Sequence, residues 1–195
     1  MRVSRTQAAE NRQKVINTAS RLFRKRGFDG IGLKDLMKGA GLTQGAFYKQ
    51  FTSKEDLVGQ ATRRALESAE RRWTDAIASN PKDPLGAVIE RYLSAKHRDE
   101  TTDGCPLVAL GSDAARQSSD VKASFEAGIK SHLEVLCRLI GEAGGEKPDD
   151  KAMAIFSTIV GAQILARAVN DAKLSKGFLR AAKNCVRMTA SSRGR

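Results

Sequence analysis

Residues 33–51 read Leu33-Lys34-Asp35-Leu36-Met37-Lys38-Gly39-Ala40-Gly41-Leu42-Thr43-Gln44-Gly45-Ala46-Phe47-Tyr48-Lys49-Gln50-Phe51. A short amphipathic segment over 33–39 predicts a helix, with Asp35 in the first turn, where a negative charge suits the helix dipole. Gly41 follows where a tight bend needs positive φ at little cost, and Thr43 is placed to cap a further helix over 44–51. Two short helices joined by a glycine-containing turn make a helix-turn-helix, with Leu36, Ala40, Leu42, Phe47 and Phe51 as its internal core. Gln44, Tyr48 and Lys49 then face outward, with Gln50 and Thr52 close by. Amide, phenol and ammonium groups suit base edges and phosphates in a major groove. The same spacing also fits an ordinary helical hairpin with a solvated polar face.

Charge tilts the choice. Of 34 Lys and Arg and 22 Asp and Glu in the 195 residues, residues 1–72 hold 16 basic against 7 acidic. The remainder holds 18 against 15, so the +12 excess sits mainly in the first third of the chain. A concentrated basic region attracts phosphate backbones through counterion release. An anionic membrane surface is the other attractor, since 21–26 is basic on an amphipathic helix.

The rest of the chain also reads as helix. Val15, Ala19, Leu22 and Phe23 share one face of a helix over 6–26, which Gly27 stops. Ser53 with Asp56 resembles a capping arrangement for a long helix to residue 79, along which Leu57, Ala61, Ala65, Ala69, Trp73 and Ile77 recur every fourth residue. Further helices are expected over 84–97, 106–116, 120–142, 149–173 and 175–188, with breaks at 98–104, 117–119 and 144–148 and a frayed tail at 193–195. With 41% hydrophobic and 29% charged residues the chain has a soluble globular balance. No apolar run reaches the ~20 residues of a membrane span, and no apolar signal segment follows the basic N-terminus. A cytoplasmic protein is expected, and its three cysteines, Cys105, Cys137 and Cys185, are expected to be reduced thiols.

Gly27-Phe28, then 33–36, then 40–51, then Ser53-Lys54-Glu55-Asp56-Leu57 resembles the N-terminal domain of TetR (tetracycline-repressor-like) regulators, over about Val15 to Leu57. The resemblance implies an all-α protein of about nine helices, with a three-helix helix-turn-helix DNA-binding domain over 1–56. A larger effector-binding and dimerisation domain would occupy 57–195. It implies a homodimer that represses transcription at a near-palindromic double-stranded operator and leaves it when a small-molecule effector, or an electrophile or oxidant, arrives. Carried over by position, Thr43, Gln44, Gly45, Tyr48, Lys49 and Gln50 would face the operator and Lys54 would contact phosphate. Lys34 is a further phosphate contact by charge and location. Gly32 departs from the family's Ser or Thr cap and supplies no side-chain oxygen. Met37 replaces the usual small Ala, so the packing between the two helices there must adjust.

In the C-terminal part, Ile155, Ile159, Ala162, Ala166 and Val169 form a 4-3-4-3 seam. With Phe178, Leu179, Ala182 and Val186 they fit either a monomer core or, by the resemblance, a dimer interface. Trp73, Tyr92, Phe125, Leu133 and Leu136 are candidate pocket residues, though each would also suit a core. Cys105, in Thr102-Asp103-Gly104-Cys105-Pro106-Leu107, stands at an expected helix start whose dipole favours a thiolate, with Arg98 seven residues before it. A similar Gly-Cys motif occurs in some TetR-like regulators, including ones that respond to electrophiles or oxidants, so Cys105 is a candidate ligand-contacting and sensing residue; a small buried packing role is the alternative.

Catalytic patterns are lacking. His97 and His132 have no His-Glu-x-x-His spacing and there is no Cys-x-x-Cys. Gly39-Ala40-Gly41 follows no strand, so it is not a dinucleotide loop. His132 and Cys137 lack a third ligand nearby. The expectation is a non-enzyme without cofactor or metal.

Overall fold

The computed structural model describes residues 4–141 and 150–191. The expected break at 144–148, the tail at 193–195 and the helix ends at 142 and 149 lie outside them. The described residues are all-α. Helix α1 (Arg5–Arg26) starts where the Ser4 hydroxyl accepts the Gln7 N–H at 3.1 Å, and stops at Gly27, whose φ of 77° favours a residue without Cβ. Val15, Ala19 and Phe23 are buried as their spacing predicts, and Ile16 joins them.

Helix α2 (Leu33–Gly39) has the expected bounds and lacks a side-chain cap at Gly32. Gly41 takes φ 69° and turns the chain. The second helix of the motif differs from expectation: Gln44–Lys49 is a 3₁₀ turn that ends before Phe51. Thr43 has extended backbone but makes no side-chain capping bond, and so short a segment without a cap settles into i→i+3 bonding. Met37 is fully buried, so the small core has absorbed the larger side chain.

Helix α3 (Lys54–Ser79) is the longest element described. Its start is doubly capped: the Ser53 hydroxyl accepts the Asp56 N–H at 3.0 Å and the Asp56 carboxylate accepts the Thr52 N–H at 3.2 Å. Leu57, Ala61, Ala65, Ala69 and Trp73 bury one stripe, whereas Ile77 is only half-buried. Helix α3 packs on α1 and on several later helices, so one continuous core runs from Val15 to Val186.

The helix expected over 84–97 is two helices, α4 (Pro84–Tyr92) and α5 (Ala95–Asp99), because the Ser94 hydroxyl accepts the His97 N–H and restarts the chain in a new direction. Helices α6 (Pro106–Ala114) and α7 (Ser119–Leu139) follow, and α7 lies against α3. Gly128 permits that approach, since a Cβ there would stand 2.5 Å from Leu66 Cδ2. Helices α8 (Asp150–Ala168) and α9 (Ala172–Ser191) pack side by side as the last pair.

Leu57 is 0% exposed and Ser53 caps the same helix start, which separates two contributions at one place. Leu57→Ala should cost about 2–5 kcal/mol by leaving a cavity, and Ser53→Ala about 1 kcal/mol by losing one cap. Urea unfolding followed by circular dichroism at fixed protein concentration measures both.

Candidate nucleic-acid interface and the cavity behind it

The 44–49 turn is held by what it points inward. Phe47 is buried and stacks on Phe51 with centroids 5.3 Å apart, and Tyr48 stands edge-on to Phe47 at 5.3 Å. Arg12 of α1 lies over the Phe51 ring at 5.0 Å and its Nε donates to the Gln50 carbonyl at 3.4 Å. Arg12 as a positioning residue was missed in the sequence; its place off the apolar stripe of α1 was the available signal.

Outward, Thr43, Gln44, Gly45, Tyr48 and Lys49 are exposed, Tyr48 at 69%. Nothing lies within 4 Å of where a Gly45 Cβ would be, so its backbone is open to close approach. Lys34 is exposed on α2, and Lys54 is half-buried at the first position of α3. Gln50 differs from its neighbours: it is half-buried, and its Oε1 is enclosed without a hydrogen-bond partner.

Farther from this face, a cavity of about 290 Å³ opens between α3, α4, α5 and the loop before α6. Trp73, Tyr92 and Cys105 line it. Phe125 and Leu133 instead line a separate open groove between α6 and α7, and Leu136 is fully buried. Trp73 packs edge-on against Tyr92, His132 and Phe156.

Cys105 is 3% exposed and sits at the N-cap position of α6, before Pro106. Its backbone N–H donates to His97 Nε2 at 3.1 Å, and His97 Nδ1 lies 2.7 Å from the Tyr92 carbonyl. This pair of partners fixes a neutral imidazole with its proton on Nδ1, and burial holds the His97 pKa below its usual range. The Gln163 amide also donates to the Tyr92 carbonyl. Arg98 points away from Cys105, to Asp99 at 2.7 Å and Ser175 at 3.0 Å. Burial raises the Tyr92 phenol well above its ordinary pKa. Its hydroxyl lies near the Cys105 thiol but makes no hydrogen bond of ordinary geometry.

Residues 15–61 match the model for bacterial regulatory proteins of the tetR family. The HTH-type transcriptional repressor NemR of Escherichia coli K12 is 26% identical over 180 residues, 87% of each chain. The uncharacterized HTH-type transcriptional regulator YxaF of Bacillus subtilis is 28% identical over 172 residues, 85% of this chain and 90% of its own. The crystal structure of reduced E. coli NemR superposes with a TM-score of 0.77 at 24% identity, covering 92% of this chain and 97% of that one. Residues 15–61 are thus similar to the N-terminal region of tetR-family regulators. The chain is a DNA-binding regulator of transcription rather than an enzyme.

The cavity is tied to α1, the helix that packs on α2 of the helix-turn-helix. Arg24, buried near the end of α1, donates from Nη1 to the Gly104 carbonyl at 2.9 Å and from Nε to the Ser20 carbonyl at 3.0 Å. Arg72, in the cavity wall, donates to the same Gly104 carbonyl at 3.2 Å. Asp103 reaches Arg21 at 3.0 Å and Arg24 at 3.7 Å. Burial, opposed by Asp103, pulls the Arg24 pKa down to about 10, so it stays charged at neutral pH. Arg167 of α8 donates to the carbonyls of Arg98, His97 and Glu100. The loop before α6 is thus gripped from three helices.

On α8 and α9 the seam expected at a dimer interface faces inward. Ile155, Ile159, Ala162, Ala166, Leu179, Ala182 and Val186 are buried within one protomer, while Val169 and Phe178 are half-buried. The large apolar side chains left exposed on these helices are Met153, Ile164, Leu165, Leu174 and Met188. The buried seam residues therefore form a core within the chain; a helix buried on one face and apolar on another has no single stripe to mark which is which. His132 is buried between Trp73 and Phe156 with Nδ1 2.7 Å from the Gly128 carbonyl, and Cys137 is half-buried.

Burial lowers the pKa of both His97 and His132. The unfolded chain takes up these protons from about pH 6.5 downward, whereas the folded chain resists them. Stability from these groups is therefore fully present above about pH 6.5 and is lost as pH falls through the depressed folded values. Unfolding free energy should be lower at about pH 5.5 than at about pH 7.5, and His97→Gln should reduce that difference in urea titrations.

Proposed function

We propose that this chain is a cytoplasmic, homodimeric repressor that binds a near-palindromic operator and leaves it when an effector enters the cavity beside Trp73. Residues 1–56 serve as the reading unit and 57–195 as the effector and dimerisation unit. One observation carries the reading: a short turn anchored by Phe47, Phe51 and Arg12 presents Gln44, Tyr48 and Lys49 outward on a basic surface. Side chains on a fixed turn lose little freedom on binding, so their groups can read base edges. Thr43 and Gly45 bring backbone close to the duplex, while Lys34 and Lys54 neutralise phosphates on either side. Gln50 joins them only if its enclosed amide swings out.

The partner is a second copy meeting the exposed apolar side chains of α8 and α9, of which Ile164, Leu165 and Leu174 are near the turn between the two helices. Two-fold symmetry then sets the recognition turns about 34 Å, or a multiple of it, apart on the duplex.

A thiol-based trigger has its own support. Cys105 lines the effector cavity and follows Gly104, whose carbonyl holds Arg24 of α1. An alkylating electrophile such as iodoacetamide would form an S–C bond there, releasing iodide and the thiol proton, and enlarge the side chain beside that link.

Tyr48→Ala should weaken operator binding about tenfold, the scale of one good base contact. Lys54→Ala should weaken it on all sequences and lower the salt slope by about 1. Unchanged operator affinity in both, by fluorescence anisotropy across a salt series, contradicts this placement. Cys105→Ser should keep operator binding and lose release by iodoacetamide; a variant that is still released rules the thiol out.

A further inference from the structure

The cavity wall carries more positive charge than it neutralises. Arg72, Arg91 and Lys96 line it against one carboxylate, Glu100. Arg72 donates to neutral acceptors, the Ser68 hydroxyl at 3.0 Å and the Gly104 carbonyl. Neither the Arg91 guanidinium nor the Lys96 ammonium has a hydrogen-bond or ion-pair partner among the described residues. Burial lowers the Arg72 pKa, and the nearby Arg91 charge adds to that effect. Opposite these cations, Trp73, Val88 and Tyr92 offer an apolar wall. The Tyr92 hydroxyl is buried without a partner, and its raised pKa keeps it a donor.

We propose that the cavity takes a small organic anion, a carboxylate with an apolar body, whose head is held by Arg72 and Arg91 and whose body lies along Trp73 and Val88. The proposal rests on the effector reading above and gives it a chemical class. A neutral guest offers the guanidiniums no opposite charge in exchange for the water it displaces, and a cation would be repelled. A carboxylate accepts charge-assisted hydrogen bonds from both arginines and can accept the stranded Tyr92 hydroxyl. The volume of about 290 Å³ is at the small end of ligand pockets, which begin near 300 Å³, so the body is an aryl or medium alkyl chain. Capture of the head by Arg72 competes with the Gly104 carbonyl that Arg24 of α1 also holds, which gives the anion a route to the DNA-reading helices.

The test uses the full chain, with 4-phenylbutyrate and octanoate against their primary amides as probes and fluorescence of Trp73, the chain's one tryptophan, as the readout. At least one carboxylate should bind saturably and about tenfold or more tighter than its amide. Arg91→Gln and Arg72→Gln, each checked for folding by thermal unfolding, should remove that preference while amide binding stays. Equal affinity for acid and amide, no saturable binding of either carboxylate, or a preference that survives in both variants overturns the proposal. Selective carboxylate binding that fails to release operator leaves the anion site standing and refutes instead its role as the effector site.

Discussion

A guanidinium enclosed at the end of a helix is an obligation that its surroundings must meet. Arg24 carries its charge into the junction between α1 and the loop before α6, where the Gly104 and Ser20 carbonyls and Asp103 satisfy it. Leaving such a charge uncompensated costs about 3–5 kcal/mol in comparable buried pairs, a large fraction of a domain's whole stability. Loop and helix are therefore locked in register. Because Arg72 shares the Gly104 carbonyl, the cavity wall is part of the same arrangement.

Helix α3 makes that arrangement serve two ends. Its first turn is fixed by Ser53 and Asp56 beside the recognition turn, and its far half supplies Arg72 and Trp73 to the cavity. No flexible linker separates the helix-turn-helix from the cavity, and the core is continuous along the helix.

What could be read from sequence was local. Gly27, Gly41 and the Ser53 cap act within a few residues, and each behaves as its chemistry dictates. The helix-turn-helix was legible for the same reason: Leu36, Ala40, Phe47 and Phe51 close a small core among near neighbours. The shape of 44–49 was less legible, since a six-residue segment sits near the balance between α and 3₁₀ bonding. The break at Leu93 hid inside a helical pattern because Ser94 can cap or be tolerated in a helix. Arg24 looked like one more solvated charge in a basic run, and only the fold shows that Gly104, eighty residues on, encloses it. Trp73, Tyr92 and Cys105 were legible as candidates, whereas Arg72, Arg91 and Lys96 were not, because a cavity's charge depends on which helices meet around it.

Length gives α3 one more property. From Trp73 to Lys54 is 19 residues, about 28 Å at 1.5 Å per residue. A rigid tilt of about 5° at the Trp73 end would carry the Lys54 end roughly 2.5 Å sideways. That is close to a hydrogen bond's whole length, so under the proposed function a barely perceptible strain at the cavity would decide, at the far tip, whether Lys54 meets a phosphate or misses it.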